Sequence, residues 1–167
     1  SSWPRIRRGS SRPRATCALR WKYTYRADEE RVSSSTRGVA VLDGRVFRGT
    51  GDGRVIALDA ATGKLLWKTE VAAPRLAEST AAAPLAWGGT VYMGVAGSES
   101  GVRGRVVALD AQTGRELWRF HTIPMGKEIG AETWQRAGTA KTGGGGVWGA
   151  MSLDVTTGEL FVPVGNP

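Results

Sequence analysis

Gly53 to Lys68 reads GRVIALDAATGKLLWK and Gly104 to Arg119 reads GRVVALDAQTGRELWR, 11 identical residues of 16 at an offset of 51. Such an internal repeat is read before secondary structure because it sets how many equivalent units share the chain. A third, weaker copy, Ser152 to Phe161 (SLDVTTGELF), keeps Asp154, Thr157 and Gly158 at a further offset of 44 and puts Phe161 near the tryptophan position. Around the first copy the pattern predicts four short strands: Val39 to Leu42, Arg45 to Gly49, Arg54 to Leu58 and Lys64 to Glu70. Asp43-Gly44 and Asp52-Gly53 are hairpin signals because Asp and Gly tolerate positive φ, and Asp59 to Gly63 makes a longer turn. The second repeat runs from Ala83 to His121, with Trp87-Gly88-Gly89-Thr90 as its first turn. Where the first repeat has a tight Gly-Asp-Gly, the second carries the longer loop Ala96 to Gly104. Loops added to a repeat scaffold usually carry function.

Four antiparallel strands in a repeat of about 40 to 50 residues make one blade of a β-propeller. The expectation is an all-β chain holding about three blades, with repeats at 39–70, 83–121 and 146–167 inside a body from 27 to 167. Composition agrees: 41% hydrophobic and 23% charged residues suit a globular protein, and 24 Gly with seven Trp in 167 residues favour tight turns and short strands. With Cys17 and His121 the sole residues of their kinds, an internal disulfide, a zinc cage and a Cys/His nucleophile pair are excluded. His121 reads as a strand-end residue.

The net charge of +8 sits in one place. Residues 1–26 hold eight Arg and Lys and no acid, and the other 15 bases meet all 15 acids. The segment reads as a poorly ordered basic leader or, alternatively, as a phosphate-binding arm that would bind less at high salt. It has no groove-reading motif, so nucleic acid is not an expected partner. The first Met is Met93, and no apolar run reaches the length of a signal core or a membrane span. A processed chain or a fragment of a longer product is the expectation, and an open arc of blades leaves edges that should make it unstable alone.

Ala57, Asp59, Thr62, Gly63 and Trp67, repeated as Ala108, Asp110, Thr113, Gly114 and Trp118, spell AxDxxTGxxxW. This resembles the tryptophan-docking repeat of the quinoprotein dehydrogenases, which implies part of an eight-bladed propeller. A Trp at a fixed distance after a rigid turn can lie flat on the neighbouring blade, its indole N–H finding a backbone acceptor. Non-catalytic propellers that scaffold outer-membrane assembly carry similar repeats, so the loops decide. Gly97-Ser98-Glu99-Ser100-Gly101-Val102-Arg103-Gly104 resembles the Gly-Ala-Glu-x-Gly-Val-Arg-Gly segment of alcohol dehydrogenases dependent on pyrroloquinoline quinone (PQQ). The resemblance implies that Gly97 and Ser98 border the cofactor and that Glu99 ligates a calcium ion, a hard cation that takes oxygen ligands. Thr142 to Trp148 (TGGGGVW) is similar to the family's Gly-Gly-Gly-Thr-x-Trp run, which makes Trp148 the floor for the planar quinone. Four successive Gly add no packing, so close approach of a flat ligand is one cause for them. Gly165-Asn166-Pro167 resembles the Gly-Asn-Pro that supplies a second calcium ligand, here Asn166, and Thr36 to Ala40 resembles the segment whose Arg, here Arg37, pairs with a cofactor carboxylate.

Departures from the pattern are also informative. Arg31-Val32 stand where many relatives have two adjacent Cys, Gly146 where many have Thr, and Ala81, next to Thr80, where relatives place a cofactor-contacting Thr. The absence of the adjacent Cys pair at Arg31-Val32, with the surroundings of Trp134 and of Val164 to Pro167, leans toward the sugar and polyol side of the family, which includes glucose dehydrogenases. The resemblance implies oxidation of an alcohol, polyol or aldose by hydride transfer to PQQ with Ca²⁺. It also implies electrons passing to a cytochrome or membrane quinone, and a periplasmic protein, soluble or membrane-associated. The family's general-base Asp falls beyond Pro167, so no residue here is assigned that role. A non-enzymatic assembly scaffold is the alternative.

Overall fold

A computed structural model of the chain describes residues 18–28, 36–133 and 143–165. Two four-stranded antiparallel sheets follow one another in sequence order. The first contains β1 (Ala40–Leu42), β2 (Arg45–Gly49), β3 (Arg54–Asp59) and β4 (Leu65–Glu70). The second contains β5 (Leu85–Trp87), β6 (Thr90–Val95), β7 (Arg105–Asp110) and β8 (Glu116–His121). A third hairpin pairs β9 (Ser152–Asp154) with β10 (Glu159–Phe161). The strands read from the sequence agree with β1 to β4 to within a residue at their ends. Among the described residues no helix is long and apolar enough to cross a membrane.

The repeat makes the same turn twice. Asp59 Oδ1 accepts the Ala61 and Thr62 amides at 3.0 and 2.7 Å and the Thr62 hydroxyl at 2.7 Å. Asp110 does the same with Gln112 and Thr113 at 3.0, 2.8 and 2.8 Å. These bonds favour the ionised carboxylates and hold both Asp below their usual range, led by the Thr62 hydroxyl at Asp59 and the Thr113 amide at Asp110. Beside each turn the pairing shifts register at one place, between Ala57 and Leu58 and between Ala108 and Leu109. Beyond the shift Trp67 pairs with Ala57 and Trp118 with Ala108.

Neighbouring sheets are joined through that tryptophan. Trp67 Nε1 donates to the Ala111 carbonyl at 3.1 Å, and its ring lies so close to Gly114 that a Cβ there would sit 2.6 Å from it. Thr69 Oγ1 adds a bond to the Gly114 carbonyl at 2.7 Å. Trp21 repeats this joint one unit earlier, donating to the Ala60 carbonyl at 3.0 Å with its ring on Gly63. Residues 18–26, expected to be part of a poorly ordered leader, therefore include a docked segment; the leader's first 17 residues lie outside the described residues. The signal was present: Leu19-Arg20-Trp21-Lys22 parallels Leu65-Leu66-Trp67-Lys68.

The third copy needs a correction. A Cβ on Gly49 would meet the Thr80 carbonyl oxygen at 2.9 Å, and one on Gly94 would meet the Val147 carbonyl oxygen at 2.5 Å, so Val147 stands in the second interface where Thr80 stands in the first. Thr80 precedes β5 by five residues and Val147 precedes β9 by five. The β9–β10 hairpin is thus equivalent to β5–β6, the first hairpin of a blade, and not to the β7–β8 hairpin that its Asp-x-x-Thr-Gly suggests. The turn chemistry itself is preserved, with Asp154 Oδ1 accepting the Thr156 amide at 2.8 Å.

The core lies between sheets, with Phe47, Val55, Val91, Met93 and Val107 fully buried. Two polar clusters cross it. Arg105 donates to both Glu78 oxygens at 2.8 and 2.7 Å and to the Val71 carbonyl at 2.9 Å, tying β7 to the end of β4. Asp52 is 0% exposed and accepts from the Thr50 hydroxyl (2.5 Å), Tyr25 hydroxyl (2.8 Å), Arg54 Nη1 (2.7 Å) and Asp28 amide (3.0 Å). Burial opposes its charge, but these donors outweigh burial and hold Asp52 below its ordinary value. Burial, with Asp52 alongside, pushes the Tyr25 hydroxyl up to about 12.

Two predictions follow for the full-length protein. Trp67→Phe removes the bond to Ala111 and should cost about 1 kcal/mol, whereas Trp67→Ala also removes the ring and should cost about 3 kcal/mol, both read from denaturant melts. Asp52→Asn leaves Arg54 without its buried partner and should cost about 3 kcal/mol at pH 7. A carboxylate with a lowered pKa stabilises the fold fully above its unfolded value of 3.8 and stops doing so as pH falls through the folded value, so the gap between variant and wild type should close below that pH.

Candidate functional site

The inserted loop of the second blade begins at Gly97, whose φ of 135° is open only to glycine, and whose Cβ would lie 2.4 Å from the Ala77 carbonyl oxygen. Ser98–Ser100 form one 3₁₀ turn, closed by the Gly101 amide on the Ser98 carbonyl at 3.0 Å. Glu99 is exposed on this turn and makes no hydrogen bond or ion pair among the described residues. Its carboxylate is therefore free to take a cation. Among the described residues no three His, Cys, Asp or Glu are grouped as a metal cluster.

The glycine run packs on this loop backbone to backbone. The Gly144 amide donates to the Val102 carbonyl at 2.9 Å, and the Gly104 amide returns to the Gly144 carbonyl at 2.8 Å. A Cβ on Gly104 would meet the Gly145 carbonyl oxygen at 2.0 Å. The sequence reading attributed the run to approach of a flat ligand; the structure supplies a different cause, approach of the neighbouring loop. Two hydroxyls fix the strand on either side: Thr122 Oγ1 donates to the Gly145 carbonyl at 2.6 Å, and the Gly146 amide donates to Ser98 Oγ at 2.7 Å. Ser98 thereby uses an oxygen lone pair and keeps its own O–H to donate.

Beyond this point the chain buries Val147 completely and leaves Trp148 50% exposed. Arg37 reaches it from the first blade. Its guanidinium carbon lies 5.3 Å from the centroid of the Trp148 ring, within cation–π distance, and Nη1 donates at 3.3 Å to both the Ala81 and Trp148 carbonyls. Gly165 closes the other side: its amide donates to the Gly146 carbonyl at 2.9 Å, and a Cβ on it would lie 2.8 Å from Trp148 Nε1. Asn166 follows directly but lies outside the described residues, as do Arg31-Val32, Trp134 and Thr142. Of the residues expected at the site, Arg37 and Trp148 are thus in contact. Gly97, Ser98 and Glu99 share the loop that hydrogen-bonds two residues before Trp148.

Thr80 does not stand in for the Thr missing at Ala81. It is 1% exposed, and its hydroxyl donates to the Thr50 carbonyl at 2.7 Å, so it ties blades together. His121 ends β8, with Nδ1 2.9 Å from Glu128 Oε1. Burial, then Arg103, pushes its pKa below the usual histidine value, so the ring is neutral at pH 7.

The groups present suit a planar anionic ligand with a hard cation: a half-exposed indole, a guanidinium near its ring, a hydroxyl on the adjoining loop, and in that loop a carboxylate with no partner among the described residues.

Residues 15–167 match the family described as "Glucose/ethanol/alcohol dehydrogenase, beta-propeller domain". The chain is 39% identical over 164 residues to the quinohemoprotein alcohol dehydrogenase ADH-IIG of Pseudomonas putida, covering 89% of this chain and 23% of that protein. It is 34% identical over 173 residues to the lanthanide-dependent methanol dehydrogenase of Methylacidiphilum fumariolicum, covering 90% and 28%. Among solved structures, a europium-containing methanol dehydrogenase superposes with a TM-score of 0.79 at 34% identity, over 90% of this chain and 30% of that one. The chain therefore spans about a quarter of the length of the curated relatives it matches. On its repeated blades, its tryptophan joints and this coverage, the chain belongs to the PQQ-type dehydrogenase β-propeller family.

Proposed function

We propose that the chain supplies the floor and one side of the cofactor site in a dehydrogenase that uses PQQ and Ca²⁺ to oxidise an alcohol. The observation that carries this reading is the Arg37 guanidinium 5.3 Å from the ring of the half-exposed Trp148, beside a loop whose Glu99 has no partner among the described residues. Trp148 offers a flat apolar surface on which a planar quinone can stack. Among the described residues the Arg37 guanidinium bonds only through Nη1, to two carbonyls that hold the fork in place, which leaves Nη2 and Nε for a ligand carboxylate. The Ser98 hydroxyl donates to the same ligand, and the Gly97 turn places it. Glu99 and Asn166 ligate the cation. When bound, PQQ supplies the two-electron acceptor and Ca²⁺ the Lewis acid beside it. The proton acceptor is assigned to an Asp outside residues 1–167.

Small primary alcohols are the favoured substrates, since the relatives above are named as alcohol and methanol dehydrogenases; polyols and aldoses are the alternatives. The electron acceptor is a cytochrome or membrane quinone, and the compartment is the periplasm. A lanthanide, named for two of those relatives, is the competing metal.

The test is reconstitution of the full-length gene product with PQQ and either Ca²⁺ or La³⁺, followed by dye reduction with ethanol, glycerol and glucose. Metal- and PQQ-dependent ethanol oxidation is the expected result. Glu99→Ala should lower it by more than the roughly 10- to 100-fold that loss of a residue merely supporting a ligand costs. Activity only with La³⁺ would replace the calcium assignment, and no PQQ uptake would favour the scaffold reading.

A further inference from the structure

We infer that Glu128 is a positioning residue for this site, clamping the Glu99 loop to the end of β8 through Arg103 and His121. The inference rests on the function proposed above. Glu128 lies in the segment after β8, and its carboxylate joins three pieces of chain. Both oxygens accept from Arg103, Nη2 on Oε1 and Nη1 on Oε2, each at 3.1 Å. Oε1 also lies 2.9 Å from His121 Nδ1, and Oε2 accepts the Met125 amide at 2.8 Å. The Met125 amide above all, with Arg103 and His121, holds Glu128 below the ordinary carboxylate range. An ionised carboxylate only accepts, so the neutral His121 ring carries its proton on Nδ1.

An exposed ion pair contributes little by itself. This one is bidentate, has two further donors, and grips the loop at a sensitive point. Arg103 is bridged to Gly144, and the amides on either side of that bridge are the ones that hold the glycine run to the loop. Only Ser100, Gly101 and Val102 separate Arg103 from Glu99, and they form a closed turn in which the Ser100 and Val102 amides both donate to the Gly97 carbonyl, at 2.9 and 3.2 Å, so a shift at the clamp reaches the proposed ligand. On the other side, His121 is followed by Thr122, which holds the Gly145 carbonyl. Glu128 thus fixes the spacing between the Glu99 loop and the segment that presents Trp148 without touching either residue. Supporting residues of this kind set how tightly a site holds its ligand.

The experiment uses the full-length protein with Glu128→Gln, which preserves size but turns one acceptor into a donor facing Arg103. Arg103→Lys, which keeps the charge and loses the fork, is the milder second variant, and Glu132→Gln, exposed in the same segment, is the control. Amide hydrogen exchange without cofactor is read at Gly104, Gly144 and Gly146, with Val55 and Val91 as core references. PQQ is then titrated in Ca²⁺ by quenching of tryptophan fluorescence. Glu128→Gln should speed exchange about tenfold at the three glycines and not at the valines, and should raise the PQQ needed for half-quenching about tenfold with the same final quenching. Arg103→Lys should shift both in the same direction by less, and Glu132→Gln should shift neither. Unchanged exchange at the glycines, or an equal rise at Val55 and Val91, would overturn the clamp, as would faster exchange with an unmoved titration. If wild-type protein shows no quenching by PQQ, the dehydrogenase reading fails, and exchange at the three glycines alone then supports or overturns the clamp.

Discussion

A single joint organises the fold: an indole N–H donating to the carbonyl of the residue directly after a turn-forming Asp, with the ring pressed on the glycine that closes the turn. Trp67 makes it to Ala111 and Gly114, and Trp21 makes it to Ala60 and Gly63, at 3.1 and 3.0 Å. The joint requires a turn whose shape does not vary, and the Asp side chain, by taking three donors from its own turn, provides one. It also requires no side chain at the docking point, which is why the turn ends in glycine. The buried Phe47 ring, 5.8 Å from the Trp67 ring, then locks the indole from its own sheet.

The site depends on the interval that this joint sets between blades. Arg37 belongs to the first blade and Trp148 to the third, yet they meet at 5.3 Å, so the stacking of all three blades determines their geometry. The second blade contributes the inserted loop, and its backbone, lying directly on the glycine run, transmits the blade's position to the segment presenting Trp148. Rigid sheets thus place groups that sit on irregular chain, a division of labour that leaves the loops free to carry chemistry.

Much of this was legible before any coordinates. The 11 matches in 16 residues and the Asp-Gly signals gave eight strands and the tryptophan joint, because each depends on local chemistry that a sequence displays directly. The third copy misled for the same reason: Asp154, Thr157 and Gly158 describe a turn, and a turn does not say which hairpin it closes. Only the packing of Val147 against Gly94 identifies β9 as a first strand. Trp21 was hidden by its charged neighbours, which made composition outweigh a four-residue likeness. Glu128 could not be found at all, since its partners Arg103 and His121 lie 25 and 7 residues away and meet it only through folding.

The docking joint also bears on how such a chain can be copied. Each unit carries both halves of the contact, a tryptophan on its last strand and a receiving turn directly before that strand, and the halves point in opposite directions around the arc. A duplicated stretch of gene encoding one unit therefore arrives with its own means of attachment at both ends. Inherited errors in one half are felt by the adjacent unit, so the two features are constrained together. The stretch from 96 to 104 takes no part in the joint, so a longer loop there leaves the attachment between units intact.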